Sequence, residues 1–235
     1  MTPTWQSAAL ALASDLRNVF GDRLRSVVAY GPQLDGHPDA PVTCLALVGT
    51  LTFGDLEACA RAEPHWRRSR IATPLILPDA EFRSSLDAFP LEYGEIIRAH
   101  QRVFGDDPFD GLSIAREDLR RAAETQIKSH LVHLREGFIA AGGRPTAIAD
   151  LVTASAAAFT ALLRHVAWLN GSSDAGRLAA TREGARVAGV PDNVVSEMLA
   201  LEQRATVPTS DPAKLFPPYL AAVEQLARAV DAWRC

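Results

Sequence analysis

The chain has 235 residues, with 24 Lys and Arg against 28 Asp and Glu, a net charge of −4 and a pI near 5.9. An acidic balance of this kind argues against a surface built for nucleic-acid backbones or anionic membranes. With 48% hydrophobic and 22% charged residues and a mean hydropathy of +0.01, the composition is that of a globular chain rather than a disordered or fibrous one.

The first elements follow from periodicity. Leu10, Leu12, Leu16, Val19 and Phe20 recur at helical spacing over residues 6–20, and Gly21-Asp22 stops the pattern. Leu24 to Tyr30 is a β-branched and aromatic run that ends at Gly31-Pro32, which predicts a buried strand. A loop from Gln33 to Pro41 leads to a second apolar run, Val42 to Gly49, and helical spacing resumes over Thr52 to Arg68. Ile71 to Leu77 predicts a third strand, Pro78-Asp79 opens a short helix through Phe82 and Leu86, and Leu91 to Ile96 alternates with period two, the mark of a strand.

After Gly105-Asp106-Asp107-Pro108 no strand pattern remains. Residues 114–140 carry Leu119, Ala123, Ile127, Leu131, Leu134 and Phe138 on one face, with Ser113 as N-cap and Gly142-Gly143 as the stop. Thr146 to Asn170 is Ala-rich and apolar nearly all round, as a central bundle helix would be. Two shorter helices are expected, one capped near Ser173-Asp174 and one opened by Pro191-Asp192. A loop from Thr206 to Pro212 precedes a last helix started by Pro217-Pro218. The expectation is an α+β chain: a mixed sheet with flanking helices over residues 1–110 and an all-helical bundle over 111–235. The three cysteines, Cys44, Cys59 and Cys235, show no CxxC spacing and read as free thiols. With no basic leader at the N-terminus, the expected location is the cytoplasm, without membrane association.

This order of elements, with the segment Ser26-Val27-Val28-Ala29-Tyr30-Gly31 and the downstream stretches Asp87 to Ile96 and His100 to Phe109, resembles the nucleotidyltransferase fold, nearest to minimal and aminoglycoside nucleotidyltransferases. The resemblance implies a Gly-Ser turn that cradles phosphates, a pair of carboxylates at i and i+2 on the next strand, and a third on a neighbouring strand, together holding Mg²⁺ and a nucleoside triphosphate. Two carboxylates at i and i+2 face the same side of one strand, which is what shared metal ligation needs. Here Gly31 is followed by Pro32, which has neither hydroxyl nor N–H. Pro41 and Thr43 stand where the resemblance places the acidic pair, and a shifted register brings only Asp39. Gly31, Pro32 and Thr43 therefore read as a remnant nucleotide site with no metal set, and Glu92, or less favourably Asp87, as a remnant third carboxylate. A plain polar residue on a half-exposed strand is the simpler reading of Glu92.

Other clusters favour structural readings. Asp106, Asp107 and Asp110 suit a turn better than a cation loop, since they lack EF-hand spacing. His130 and His133, with His100 or His165, lack an HExxH partner pattern and suit packing. His65-Trp66-Arg67-Arg68-Ser69-Arg70 suits a helix end, where arginines complement the dipole, better than a phosphate contact. No GxSxG elbow, Walker loop, dinucleotide fingerprint or Arg-x4-6-His pattern occurs. The expectation is a binding or regulatory protein with a lost metal and triphosphate site, no cofactor, and an unidentified small molecule or protein as partner. The alternatives are an active enzyme using Mg²⁺ and a nucleoside triphosphate on a small hydroxylated or protein acceptor, and a helical bundle that dimerises or binds a partner.

Overall fold

The computed structural model describes residues 4–34, 39–172, 176–203 and 211–233. The chain divides into two compact units, Met1–Ile114 and Ala115–Cys235. Cys235, the cap at Ser173-Asp174 and most of the Thr206–Pro212 loop lie outside the described residues.

The first unit is built on a four-stranded sheet. Its strands are β1 (Leu24–Tyr30), β2 (Thr43–Val48), β3 (Leu75–Pro78) and β4 (His100–Gly105), in the order β3-β2-β1-β4. β1 pairs antiparallel with β2 and β4, while β2 and β3 run parallel. The central strands β1 and β2 are buried on both faces, which is why they read as unbroken apolar runs. Val27, Ala29, Cys44, Ala46 and Val48 pack with Leu12, Leu16 and Phe20 of α1 (Trp5–Phe20) and Trp66 of α2 (Phe53–Arg68). Val28, Leu45 and Leu47 face the other way, onto Phe82 of α3 (Asp79–Ser84), Tyr93 and Ile96 of α4 (Pro90–Arg98), and Phe109. Successive residues of one strand thus serve two cores.

Several elements depart from the sequence reading. Leu91 to Ile96 is helical, not extended, so Glu92 sits on α4 rather than on a strand. Pro90 occupies the first turn, where its missing N–H costs nothing, and Glu92, Glu95 and Arg98 recur every third residue on the polar side. β4 was not expected. It is an edge strand whose exposed Gln101 and Arg102 hide the apolar alternation. The third strand is shorter than Ile71–Leu77: Ile71 makes a single bridge to Val42, and Pro74, unable to donate, separates it from β3.

The second unit is all helical: α5 (Arg116–Ala141), α6 (Pro145–Leu169), α7 (Arg177–Ala188), α8 (Asp192–Glu202) and α9 (Pro212–Ala232). α6 is long and apolar enough to cross a membrane by length and composition, and here its Val152, Ala156, Phe159, Leu163 and Val166 form the middle of the bundle core. Ser113 does not cap α5, whose N-cap is Ala115. α9 starts at Pro212, under an Asp211 side chain that accepts from the Ala213 N–H, so Pro217 and Pro218 lie inside it. Two i→i−4 donors are thereby missing from its second turn.

Candidate functional site

Of the residues that the sequence singles out, the end of the sheet at Tyr30 brings together Gly31, Pro32 and Thr43. β1 is the middle strand of three there, and its last residue, Tyr30, pairs with Thr43 on one side and His100 on the other. The chain then turns at Gly31, whose φ of +85° is the left-handed region that favours glycine. Leu34 N–H donates to the Gly31 carbonyl at 3.0 Å, closing a β-turn with Pro32 at its second position. Proline suits that position because its φ is preset, but the same ring removes the amide that a phosphate-cradling turn would present. A β-carbon on Gly31 would lie 3.7 Å from Thr43 Oγ1, so turn and hydroxyl are direct neighbours.

On the face of the sheet that carries α4, the charge of Glu95 is felt at Tyr30. Burial raises the Tyr30 pKa first, and Cys44 and then Glu95 add to it electrostatically. One carboxylate oxygen of Glu95 is fully buried. Glu92, one turn earlier on the same helix, is exposed, as is Asp87 in the preceding turn. The acidic residue that the structure brings to this end of the sheet is therefore Glu95, one helical turn beyond the residue chosen from sequence. Treating residues 91–96 as a strand concealed it, because alternation puts 92 and 95 on opposite faces. Beside Tyr30, the Cys44 thiol is pushed up to about 12 by burial and stays protonated.

Pro41 is exposed and lies ahead of β2; Thr43 is half-buried at its start. Asp39 is solvent-exposed, and Arg70 donates to its backbone carbonyl. Thr43 offers a neutral hydroxyl and Pro41 no side-chain donor atom, so neither is a carboxylate ligand. Among the described residues, no group of three or more His, Cys, Asp or Glu gathers where it could hold a metal. Neither Pro41 nor Thr43 supplies the anionic oxygen that a divalent ion prefers.

The other sequence clusters have structural partners. Asp107 accepts from the Phe109 N–H at 3.0 Å and lies 3.3 Å from His100 Nε2, with the Phe109 ring edge-on to His100. Backbone hydrogen bonding, ahead of the His100 contact, lowers the Asp107 pKa. His130 contacts the Tyr219 hydroxyl at 2.7 Å, and exposed His133 lies 3.2 Å from Glu136. Trp66 is buried and donates to Asp15 at 2.9 Å, with His65, Arg67 and Arg68 in the last turn of α2.

No protein-family model matches this chain, and no curated protein matches it by sequence. Among solved structures, it is similar to spectinomycin adenyltransferase AAD(9) from Enterococcus faecialis, whose structure contains ATP and spectinomycin. The TM-score is 0.57 over 94% of this chain and 96% of that one, at 13% identity. The fold is nucleotidyltransferase-like.

Proposed function

We propose that this chain is a nucleotidyltransferase-like protein that has lost metal-dependent nucleotidyl transfer and acts as a binding or regulatory module. The observation that carries this reading is the donor set around Gly31: a proline in place of an amide donor, and Pro41 and Thr43 in place of two carboxylates. Polyphosphate binding through Mg²⁺ needs anionic oxygens on the protein to hold the ion, and a threonine hydroxyl is a poor substitute. Hydrogen-bonding and aromatic surface persists at the same end of the sheet in Tyr30, Thr43 and His100, which suits a neutral or hydroxylated small molecule better than a metal triphosphate.

Calorimetric titration of the full chain with ATP, with and without Mg²⁺, tests it. The expected result is no Mg²⁺-dependent ATP binding. Metal-dependent binding at micromolar affinity would overturn the proposal.

A second reading, retained adenylyl transfer to a hydroxylated acceptor, has one observation in its favour: the half-buried Glu95, whose charge disfavours the Tyr30 phenolate. A carboxylate so placed suits proton removal from an acceptor hydroxyl, the pyrophosphate of ATP then departing. It predicts ATP-dependent pyrophosphate release that Glu95→Gln abolishes and Glu92→Gln preserves.

A further inference from the structure

The opposite end of the sheet, where β1 begins and β4 ends, holds a cleft of about 740 Å³ within the first unit. The strand geometry that makes it is irregular on purpose. Leu24 pairs with Val48 and Ser26 with Leu47, so Arg25 is an extra residue bulged out of the β1–β2 ladder. Gly105, with φ +74°, closes so tightly on β1 that a β-carbon there would run into the Arg25 carbonyl. Ser26 lies two residues before Val28 on the face carrying α3, whose Asp79 and Arg83 form another wall of the cleft.

Most polar groups around the cleft are satisfied internally. Arg83 is held by Asp79 at 3.0 Å and donates to the Pro108 carbonyl at 3.2 Å. Asp107 is held by the Phe109 amide and His100. Three groups remain uncommitted among the described residues. The Arg25 guanidinium has no carboxylate partner, and its Nε and Nη2 lie over Gly49, 3.7 Å from where a β-carbon would stand. Asp106 has no cationic partner. Ser26 is only 3% exposed, yet its hydroxyl makes no hydrogen bond. A buried hydroxyl left unpaired is unfavourable unless something supplies a partner.

Arg25 precedes Ser26, and Asp106 follows Gly105, the residue that Ser26 pairs with. These opposite charges line one cleft without joining in an ion pair. We infer that this cleft binds a small zwitterion of the α-amino acid class. Its carboxylate accepts from the Arg25 guanidinium and the Ser26 hydroxyl, and its ammonium faces Asp106. A simple anion would leave Asp106 repelling it, and a simple cation would leave Arg25 and the Ser26 hydroxyl unused, so the donor set favours a ligand with both charges. The inference concerns a different place from the Gly31 turn and stands whether or not ATP binds there.

The test is thermal shift of the full chain with each standard L-α-amino acid at about 10 mM, a concentration that reveals millimolar binders. Every amino acid that raises the melting temperature is then compared with its amide and its N-acetyl derivative, and inorganic phosphate serves as the anion probe. The expected result is stabilisation by at least one amino acid that disappears in both derivatives. In calorimetry with that amino acid, Arg25→Gln and Asp106→Asn each weaken binding about tenfold or more, and Ser26→Ala weakens it while remaining folded. Both charged residues are exposed, so these variants should keep the fold. Absence of any shift, equal stabilisation by an amide or by phosphate, or unchanged affinity in Arg25→Gln would each overturn the inference.

Discussion

Arg23 and Asp55 meet as a two-pronged ion pair, with Nη1–Oδ2 and Nη2–Oδ1 both 2.7 Å. The pair ties the turn before β1 to the first turn of α2. Asp55 Oδ2 also accepts from the Thr52 amide at 2.9 Å and hydroxyl at 2.8 Å, while Thr52 Oγ1 accepts from the Asp55 amide, completing a capping box. One carboxylate therefore serves both as cap and as cross-link.

Removing either half should separate the two roles. Thr52→Ala deletes the cap but leaves the ion pair, and should destabilise the first unit by about 1 kcal/mol. Asp55→Asn removes the charge that answers Arg23 as well as the carboxylate acceptor, so its loss should be larger. Hydrogen bonds from Arg23 and then Thr52 hold the Asp55 pKa far below the usual carboxylate range. A depressed carboxylate contributes stability that is present above about pH 4, its unfolded value, and disappears as pH falls through the folded one. Urea unfolding from pH 7 to pH 2 should show the Asp55→Asn penalty shrinking below about pH 4.

His130 gives the second unit its own pH response. Burial, and secondarily the charge of His133, push its pKa down to about 4, while its Nε2 meets the buried Tyr219 hydroxyl. The unfolded chain takes up this proton near pH 6.5 and the folded one does not, so protonation favours unfolding. Stability from the neutral ring is complete above about pH 6.5 and should fall as pH drops from there to about 4, by up to tenfold in the folding constant per pH unit. Tyr219→Phe should cost about 1 kcal/mol at neutral pH through the lost hydrogen bond. NMR titration of the His130 ring should place its midpoint near the same low value.

Gly184 on α7 is a contact point with α6. A β-carbon there would collide with the Leu163 carbonyl, in backbone that has no flexible end to yield. Gly184→Ala must therefore push the helices apart, at a cost of about 2–3 kcal/mol. Gly142 is the natural contrast: its φ is +58° at the end of α5, but nothing lies within 4 Å of the added carbon. Gly142→Ala should cost only about 1 kcal/mol. Equal losses in the two variants, measured by urea unfolding, would contradict the close approach.

The fold was readable where burial was two-sided or strictly one-sided. β1 and β2 show as continuous apolar runs because both faces are covered, and α5 and α6 because their stripes meet one core. Legibility failed at edges. β4 carries Gln101 and Arg102 towards solvent, and the partly buried β3 is cut off from Ile71 by Pro74. α4 failed for a different reason: over six residues, Leu91 and Tyr93 fit an alternating strand while Tyr93 and Ile96 fit a helix, and only Pro90 with the three-residue spacing of Glu92, Glu95 and Arg98 separates them. That single misreading set Glu92 on a strand instead of on α4. The Gly31-Pro32 turn was legible because glycine and proline each have one strong backbone preference. The cleft at Ser26 was not, since it depends on a bulge and on which polar groups find partners after folding.

The influence of Glu95 on Tyr30 can be measured through the phenol itself. Burial raises the Tyr30 pKa, Cys44 adds to it, and the Glu95 charge adds further because a nearby carboxylate disfavours phenolate. Glu95→Gln removes that repulsion, so Tyr30 should titrate at lower pH than in the parent chain, while still above 10 because burial remains. Glu92 is exposed on the same helix, and Glu92→Gln should leave the Tyr30 titration where it was. Ultraviolet titration of phenolate, assigned by its loss in Tyr30→Phe, distinguishes the two carboxylates. A shift in Glu92→Gln with none in Glu95→Gln would reverse the assignment of the acidic residue at this end of the sheet, and with it the placement of any acceptor hydroxyl beside Tyr30.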